Sequence, residues 1–93
     1  MTLGERSLER EVLALFDRQA DMLLPRIRRG NPAMAAASAH TLKGSAVGIG
    51  AFKVAEAAEA VEQAADHAVA AAVDVLAVVL EEAKAEIARL LAN

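Results

Sequence analysis

Three residues that lie close together in the sequence, His40, Lys43 and Gly44, have types and spacing that could carry group-transfer chemistry. The imidazole of histidine offers a nitrogen nucleophile at neutral pH. On a helix, a lysine three residues later lies on the flank of the histidine, where its ammonium could offset the charge of a phosphoryl group on the ring. A lone histidine is more often structural, so the residue types alone leave a structural role open.

A metal site at His40 is not expected. No carboxylate lies three or four residues after His40, and His67 is far along the chain with nothing to place it beside His40. We interpret His67 as a residue of a connection between helices.

The helix that carries His40 has an apolar stripe on another side. Its members alternate spacings of four and three residues: Ala35, Ala39, Leu42, Ala46 and Ile49. At about 100° per residue, His40 projects roughly 140° from the centre of this stripe. We therefore expect His40 to point to solvent.

The outward face around His40 is made of small or weakly polar residues, where an exposed helix would ordinarily carry long charged side chains. Its members are Ala33, Ala36, Ala37, Gly44 and Val47. One interpretation is an alanine-rich helix with a bland outer face, and the other is a flat docking surface with His40 at its centre. Gly44 favours docking, because a mid-helix glycine costs about 1 kcal/mol relative to alanine and this sequence otherwise uses alanine freely.

The elements that position this face are predicted from helix start and stop signals. A first helix should run to about Leu24, or one turn further to Arg29 if Pro25 only bends it, and Gly30 should end it. Its expected core residues are Leu8, Val12, Leu15, Phe16 and Leu23. Asn31 before Pro32 is a strong start signal for the second helix, which should continue to about Val47.

Two more helices complete the prediction. A third should begin near Ala51 and bury Val54, Ala58, Val61 and Ala65, and a turn at Asp66 and His67 should follow it. The fourth carries one long stripe: Val69, Val73, Leu76, Leu80, Ala83, Ile87 and Leu91. Four amphipathic helices with short connections predict an all-α, antiparallel up-and-down four-helix bundle, formed as a single domain by residues 1–93. Because no apolar stripe is left over in this assignment, we expect a monomer.

Composition narrows the classes of function. The net charge of -3 argues against nonspecific binding of nucleic acid, and we interpret the basic run at Arg26, Arg28 and Arg29 as a solvated helix end. The chain has no cysteine for disulfides or thiolate metal sites. No signal peptide is visible, and the longest weakly polar stretch is interrupted by Asp74 and too short to span a membrane. We expect a cytoplasmic protein that binds neither nucleic acid nor membrane.

The run around His40 resembles the signature of the histidine-containing phosphotransfer (Hpt) domain family. The matching residues are Ala39, His40, Thr41, Leu42, Lys43, Gly44, Ser45, Ala46, Val47, Gly48, Ile49, Gly50 and Ala51, followed by Val54, Ala58, Val61 and Glu62. The resemblance is specific, because histidine, lysine and glycine fall in place together with the downstream Gly-Ala. Pro25, near the end of the first helix, departs from the family pattern.

The resemblance implies a phosphorelay carrier of two-component signal transduction. His40 would be phosphorylated on Nε2 by a phospho-aspartyl receiver domain and would pass the group to another receiver. Lys43 would help to hold the phosphoryl group, and Gly44 would let the receiver approach. The implied partners are response-regulator receiver domains and a hybrid sensor kinase. The Mg²⁺ and the acidic pocket would belong to the receiver, so the chain would need no cofactor and no nucleotide-dependent catalytic domain of its own.

Two alternatives remain at this level. The dimerisation and phosphoacceptor module of a sensor kinase also displays a histidine on a helical bundle, but Thr41 to Gly44 differ from the residues that follow the histidine there. A helical adaptor would keep the bundle and bind a signalling partner without phosphoryl chemistry. Transfer of label from a phosphorylated receiver would separate the carrier from the adaptor.

Overall fold

The computed structural model describes residues 2–92, with side chains from residue 6 onward. Four helices follow one another along the chain: α1 (Thr2–Arg29), α2 (Pro32–Gly48), α3 (Phe52–Gln63) and α4 (Val69–Ala92). A short 3₁₀ turn, Asp66–Ala68, joins the last two. Each helix packs against its neighbour in sequence, and α1 and α4 close the ring. The prediction of an all-α, up-and-down four-helix bundle is confirmed, and no strand occurs in the described part of the chain.

The first helix continues through Pro25 to Arg29, so the longer of the two predicted ends is correct. Its core residues differ in part from the prediction. Phe16 and Leu23 are buried as expected, together with Ala20 and Ile27. The expectation that Leu8, Val12 and Leu15 belong to the core is wrong, since all three are exposed.

The length of α1 explains part of this difference, at Leu8 and Val12. Its 28 residues span about 42 Å at 1.5 Å per residue, whereas the 17 residues of α2 span only about 26 Å. The first turns of α1 therefore run past the α2–α3 connection, which lies beside Leu13. In addition, α1 carries two apolar series at helical spacing, and only one of them can face the core.

The connection between α1 and α2 depends on a close approach at Gly30. A Cβ on Gly30 would lie 2.7 Å from the Arg26 carbonyl oxygen and 2.8 Å from Met34 Cβ. Asn31 then starts α2 as predicted, since its side-chain oxygen accepts a hydrogen bond of 2.9 Å from the Met34 backbone N–H. The chain can therefore reverse within two residues.

The connection between α2 and α3 uses Gly50. This residue has φ +77°, a left-handed conformation that glycine adopts without steric cost. The Ala51 N–H donates to the Ala46 carbonyl oxygen at 2.8 Å, and the Gly50 N–H donates to the Val47 carbonyl oxygen at 3.1 Å. These bonds satisfy carbonyls at the end of α2 and turn the chain back, so that α3 runs antiparallel to α2.

The remaining stripes of the core follow the sequence pattern closely. On α2, Ile49 is half-buried, while the other members of the predicted stripe are buried. On α3 the expectation for Ala65 is wrong, because α3 ends at Gln63 and Ala65 is exposed. The buried residues of the last three helices are Ala35, Ala39, Leu42 and Ala46 on α2, Val54, Ala55, Ala57, Ala58 and Val61 on α3, and Val73, Leu76, Leu80 and Ile87 on α4.

Polar contacts hold α4 against α1 on the side away from α2. Lys84 Nζ donates to Asp17 Oδ1 at 2.9 Å and also contacts Asp21 Oδ1. Burial alone would lower the pKa of Lys84, but the hydrogen bonds to Asp21 and Asp17 outweigh it and raise the pKa above 10.5. Lys84 is therefore charged at neutral pH and links the two longest helices.

Candidate functional site

His40 lies in the middle of α2, and 69% of its side chain is exposed to solvent. Its position follows from the core stripe of the same helix, since burying Ala39 and Leu42 turns His40 outward. The outward orientation that the helical angle predicts is therefore present. The ring nevertheless leans toward α3, where it meets a carboxylate.

That carboxylate belongs to Glu62, near the end of α3. The Nδ1 atom of His40 lies 2.9 Å from Glu62 Oε2. An ionised carboxylate can only accept hydrogen bonds, so Nδ1 carries the hydrogen and donates it. In the neutral ring the lone pair is then on Nε2, and no described residue forms a hydrogen bond with that atom. The contact therefore selects the tautomer in which Nε2 is the nucleophile.

The same carboxylate also pairs with Lys43, which lies one turn after His40 on α2. Lys43 Nζ lies 3.1 Å from Glu62 Oε1 and 3.7 Å from Glu59 Oε1. Glu62 Oε1 is shielded from solvent, and 22% of the Glu62 side chain is exposed. Glu62 thus bridges the two residues that the sequence singled out on α2.

The contacts among Glu62, Lys43 and His40 shift the pKa values of Glu62 and Lys43. Burial alone would raise the pKa of Glu62, but hydrogen bonds with Lys43 and His40, together with their charges, outweigh it and lower the pKa below 4.5. Hydrogen bonding to Glu62 raises the pKa of Lys43 above 10.5, although burial opposes this, and the charge of Glu59 adds to the increase. At neutral pH the site therefore contains an ionised Glu62 carboxylate that contacts both the Lys43 ammonium and the ring of His40.

The outward face of α2 is as open as the sequence pattern predicts. Ala33, Ala37, Gly44 and Val47 are exposed, and Ala36 is half-buried. A Cβ placed on Gly44 would meet nothing within 4 Å. Nothing inside the bundle requires the missing side chain, so packing does not explain a glycine here.

Sequence reasoning included Glu62 in the motif run but gave it no role in the site. The reason is that Glu62 lies 22 residues after His40, on another helix, where helical spacing along α2 carries no information. A usable signal was present on α3: Glu59 and Glu62 are three residues apart and so share one face.

Other polar residues stay outside this cluster. His67 lies exposed in the 3₁₀ turn, in agreement with its interpretation as a connection residue. Arg28, at the end of α1, pairs with Asp74 at 3.7 Å. Within residues 2–92, no three His, Cys, Asp or Glu side chains are grouped so that they could hold a metal ion. Over the same residues, no helix has the length and apolar character needed to cross a membrane.

Comparison with known proteins places the chain in a family. The family model described as Hpt domain matches residues 11–93, well over half of the chain. Neither the curated proteins nor the solved structures contain a match. The helical bundle agrees with this family, whose domains are helical bundles that carry phosphoryl groups in two-component signalling and interact with receiver domains. The chain therefore belongs to the Hpt domain family.

Proposed function

We propose that His40 accepts a phosphoryl group from a phospho-aspartyl receiver domain and passes it to the aspartate of another receiver. The observation that carries this proposal is the contact of His40 Nδ1 with Glu62, which leaves the exposed Nε2 atom as the nucleophile. A buried histidine with both nitrogens engaged could not react in this way.

The transfer balances without a further reactant. The Nε2 lone pair forms the new N–P bond while the P–O bond of the acyl phosphate breaks, and the aspartate leaves as a carboxylate with the electron pair. The phosphorylated ring retains its hydrogen on Nδ1 and gains positive charge, which the adjacent Glu62 carboxylate stabilises. The reverse reaction, with the aspartate of a second receiver as nucleophile, regenerates the starting tautomer.

Lys43 supports the phosphorylated form in this proposal. Its ammonium pairs with Glu59 and with Glu62, and Glu62 is the same carboxylate that contacts the His40 ring. A phosphoryl group on Nε2 would bring additional negative charge next to it, and Lys43 could then contact a phosphoryl oxygen. We expect Lys43→Ala to shorten the lifetime of the phosphorylated protein without unfolding the bundle.

The receiver docks on the outward face of α2 and supplies the metal ion. Gly44 lies one turn from His40 on this face, and its open surroundings allow the surface of a partner to come close. Phosphoryl transfer requires a cation and positioning, and the aspartate pocket of the receiver would provide the Mg²⁺. The chain itself contributes the nucleophile and its orientation, and it acts as a carrier without a catalytic domain for nucleotide chemistry. Its donor would be a response-regulator receiver or the receiver of a hybrid sensor kinase.

The test is a short-time phosphotransfer assay with each phosphorylated receiver of the organism. We expect an acid-labile label on the native protein, the same label on His67→Gln and none on His40→Gln, with unchanged helical content in all three. Acid-stable label, or undiminished labelling of His40→Gln, would contradict the proposal. Binding of a receiver without any transfer would instead favour the adaptor.

A further inference from the structure

The first helix carries a second apolar stripe that the bundle does not use. Leu8, Val12, Leu15 and Met22 are 61%, 40%, 59% and 53% exposed. With the half-buried Gln19 between the last two, the spacings are four, three, four and three residues. This is the repeat of a coiled-coil seam, in which the four apolar residues and one polar residue face a partner helix.

This stripe is distinct from the one that faces the core. The core stripe of α1 consists of Phe16, Ala20, Leu23 and Ile27. Members of the exposed stripe precede the core residues by one position, as Leu15 precedes Phe16, so the two stripes lie about 100° apart around the helix. The helix can therefore pack in its own bundle and still present an apolar seam to another helix.

The charges beside the exposed stripe favour a second copy of the same helix as its partner. Glu11 and Arg18 are seven residues apart and flank the stripe on the side away from the core. In the described part of the chain, neither forms an ion pair. When two α1 helices run antiparallel with Val12 opposite Leu15 of the other copy, Glu11 of each lies near Arg18 of the other. The twofold symmetry forms this pair twice.

A parallel arrangement offers no such pairing. In a parallel coiled coil, Glu11 and Arg18 of one copy would each face the residue that directly follows a seam residue of the other copy. For Glu11 that residue is Phe16, which follows Leu15. Phe16 is buried in its own bundle. Opposite charges are therefore brought together only by the antiparallel arrangement.

We propose that two copies of this chain associate through antiparallel α1 helices along the stripe Leu8, Val12, Leu15, Gln19 and Met22. The expectation of a monomer assumes that every apolar stripe faces the core, and the exposed stripe of α1 does not. The seam covers about two heptads, fewer than the roughly three to four that are typical of a stable coiled coil, so the association is reversible. The stripe includes none of His40, Lys43 and Gly44, so the inference does not rest on the proposed phosphoryl transfer.

Sedimentation equilibrium over a range of protein concentrations tests the association. We expect a monomer–dimer equilibrium for the native chain and at least about tenfold weaker association for Leu15→Gln, because this change buries an amide at the centre of the seam. The matched control is Val78→Gln on α4, where the native valine is 62% exposed, and its association should equal that of the native chain. Circular dichroism verifies that both variants remain folded.

The direction of the two helices is tested with charge reversal and cysteine cross-linking. Arg18→Glu should weaken the dimer, and adding Glu11→Arg should restore it. Because the chain has no cysteine, a mixture of Glu11→Cys and Arg18→Cys proteins should form the mixed disulfide in preference to either homodimer. A native chain that stays monomeric up to millimolar concentration overturns the proposal, and so do equal effects of Leu15→Gln and Val78→Gln. If Leu15→Gln slows transfer from a receiver while the native chain is monomeric, the stripe belongs to the receiver interface instead.

Discussion

At the scale of single residues, the carboxylate of Glu62 determines which nitrogen of His40 carries the hydrogen and also pairs with Lys43. Glu62 Oε2 fixes the hydrogen on His40 Nδ1, and Glu62 Oε1 holds Lys43 beside the ring. Two requirements of a phosphoryl carrier, a defined nucleophilic nitrogen and a nearby cation, thus depend on one side chain of a different helix.

Replacing Glu62 by Gln should slow transfer onto His40 roughly 10-fold, in the range found when a partner that orients a histidine is removed. The amide can still accept a hydrogen bond but cannot stabilise the charge of the phosphorylated ring. The measurement is the single-turnover rate with a phosphorylated receiver. Glu59→Gln is the control, since Glu59 contacts Lys43 but forms no hydrogen bond with His40. Equal rates for the two variants would show that Glu62 has no special role.

Replacing Gly44 separates docking from helix stability. Gly44→Ala should stabilise the protein by up to about 1 kcal/mol, because alanine is the better helix former and its Cβ meets no neighbour. Gly44→Gln should likewise preserve the fold but strongly reduce transfer from a receiver, while a small phosphodonor that labels the native protein still labels the variant at a similar rate. Thermal melts and transfer rates are the measurements, with Ala71→Gln, at an exposed position of α4, as the control. A native rate of receiver transfer in Gly44→Gln would remove this reason for placing the docking face here.

At the scale of elements, the sequence pattern identified α2 and α4 well and α1 only in part. On α2 and α4 one stripe with spacings of three and four residues runs the length of the helix, and its members are buried or half-buried, although other apolar side chains such as Val47 and Val78 are exposed. On α1 two series run one position apart, so periodicity could not tell that Phe16 is buried while Leu15 is exposed. The contact between His40 and Glu62 could not be predicted from periodicity either, because it depends on how α2 and α3 pack against each other.

The α1–α2 connection gives a test at this scale. Gly30→Ala should destabilise the protein by about 1–3 kcal/mol, because its Cβ would press on the Arg26 carbonyl oxygen and Met34 Cβ, as in overpacked cores. Gly48→Ala, where a Cβ meets nothing within 4 Å, should not destabilise it. Urea unfolding of the two variants provides the comparison. Equal stabilities would mean that the connection adjusts without cost.

At the scale of the whole molecule, the bundle is elongated, with extents of 49 × 19 × 19 Å. The Lys84 contacts with α1 and the Glu62 contacts with α2 lie on different flanks of this rod and each join two helices. Ion pairs therefore contribute to helix association on both sides of the core, and the stability of the fold should depend on pH.

The contribution of the Glu62 cluster should be present at neutral pH and lost at both extremes. The pKa of Glu62 is lowered, so its contribution is present above its usual value of 4.5 and is lost as pH falls through the folded-state pKa. The pKa of Lys43 is raised, so its contribution is present below 10.5 and is lost as pH rises through the folded-state pKa. The difference in unfolding free energy between native protein and Glu62→Gln should therefore be largest near neutral pH. A pH-independent difference, or the same profile for the exposed Glu82→Gln, would contradict this assignment.

An imidazole can carry phosphate on either of two nitrogens, and the two phosphohistidines are regioisomers with different spectra and antibody epitopes. Because Glu62 Oε2 lies 2.9 Å from Nδ1, a phosphoryl group taken up by His40 would form the tele isomer, with phosphorus on Nε2. Reagents raised against the pros isomer would not recognise the product. Where Glu62 is replaced by a residue that cannot accept a hydrogen bond, such as leucine, either nitrogen could react, and a mixture of the two isomers would report the loss of the contact.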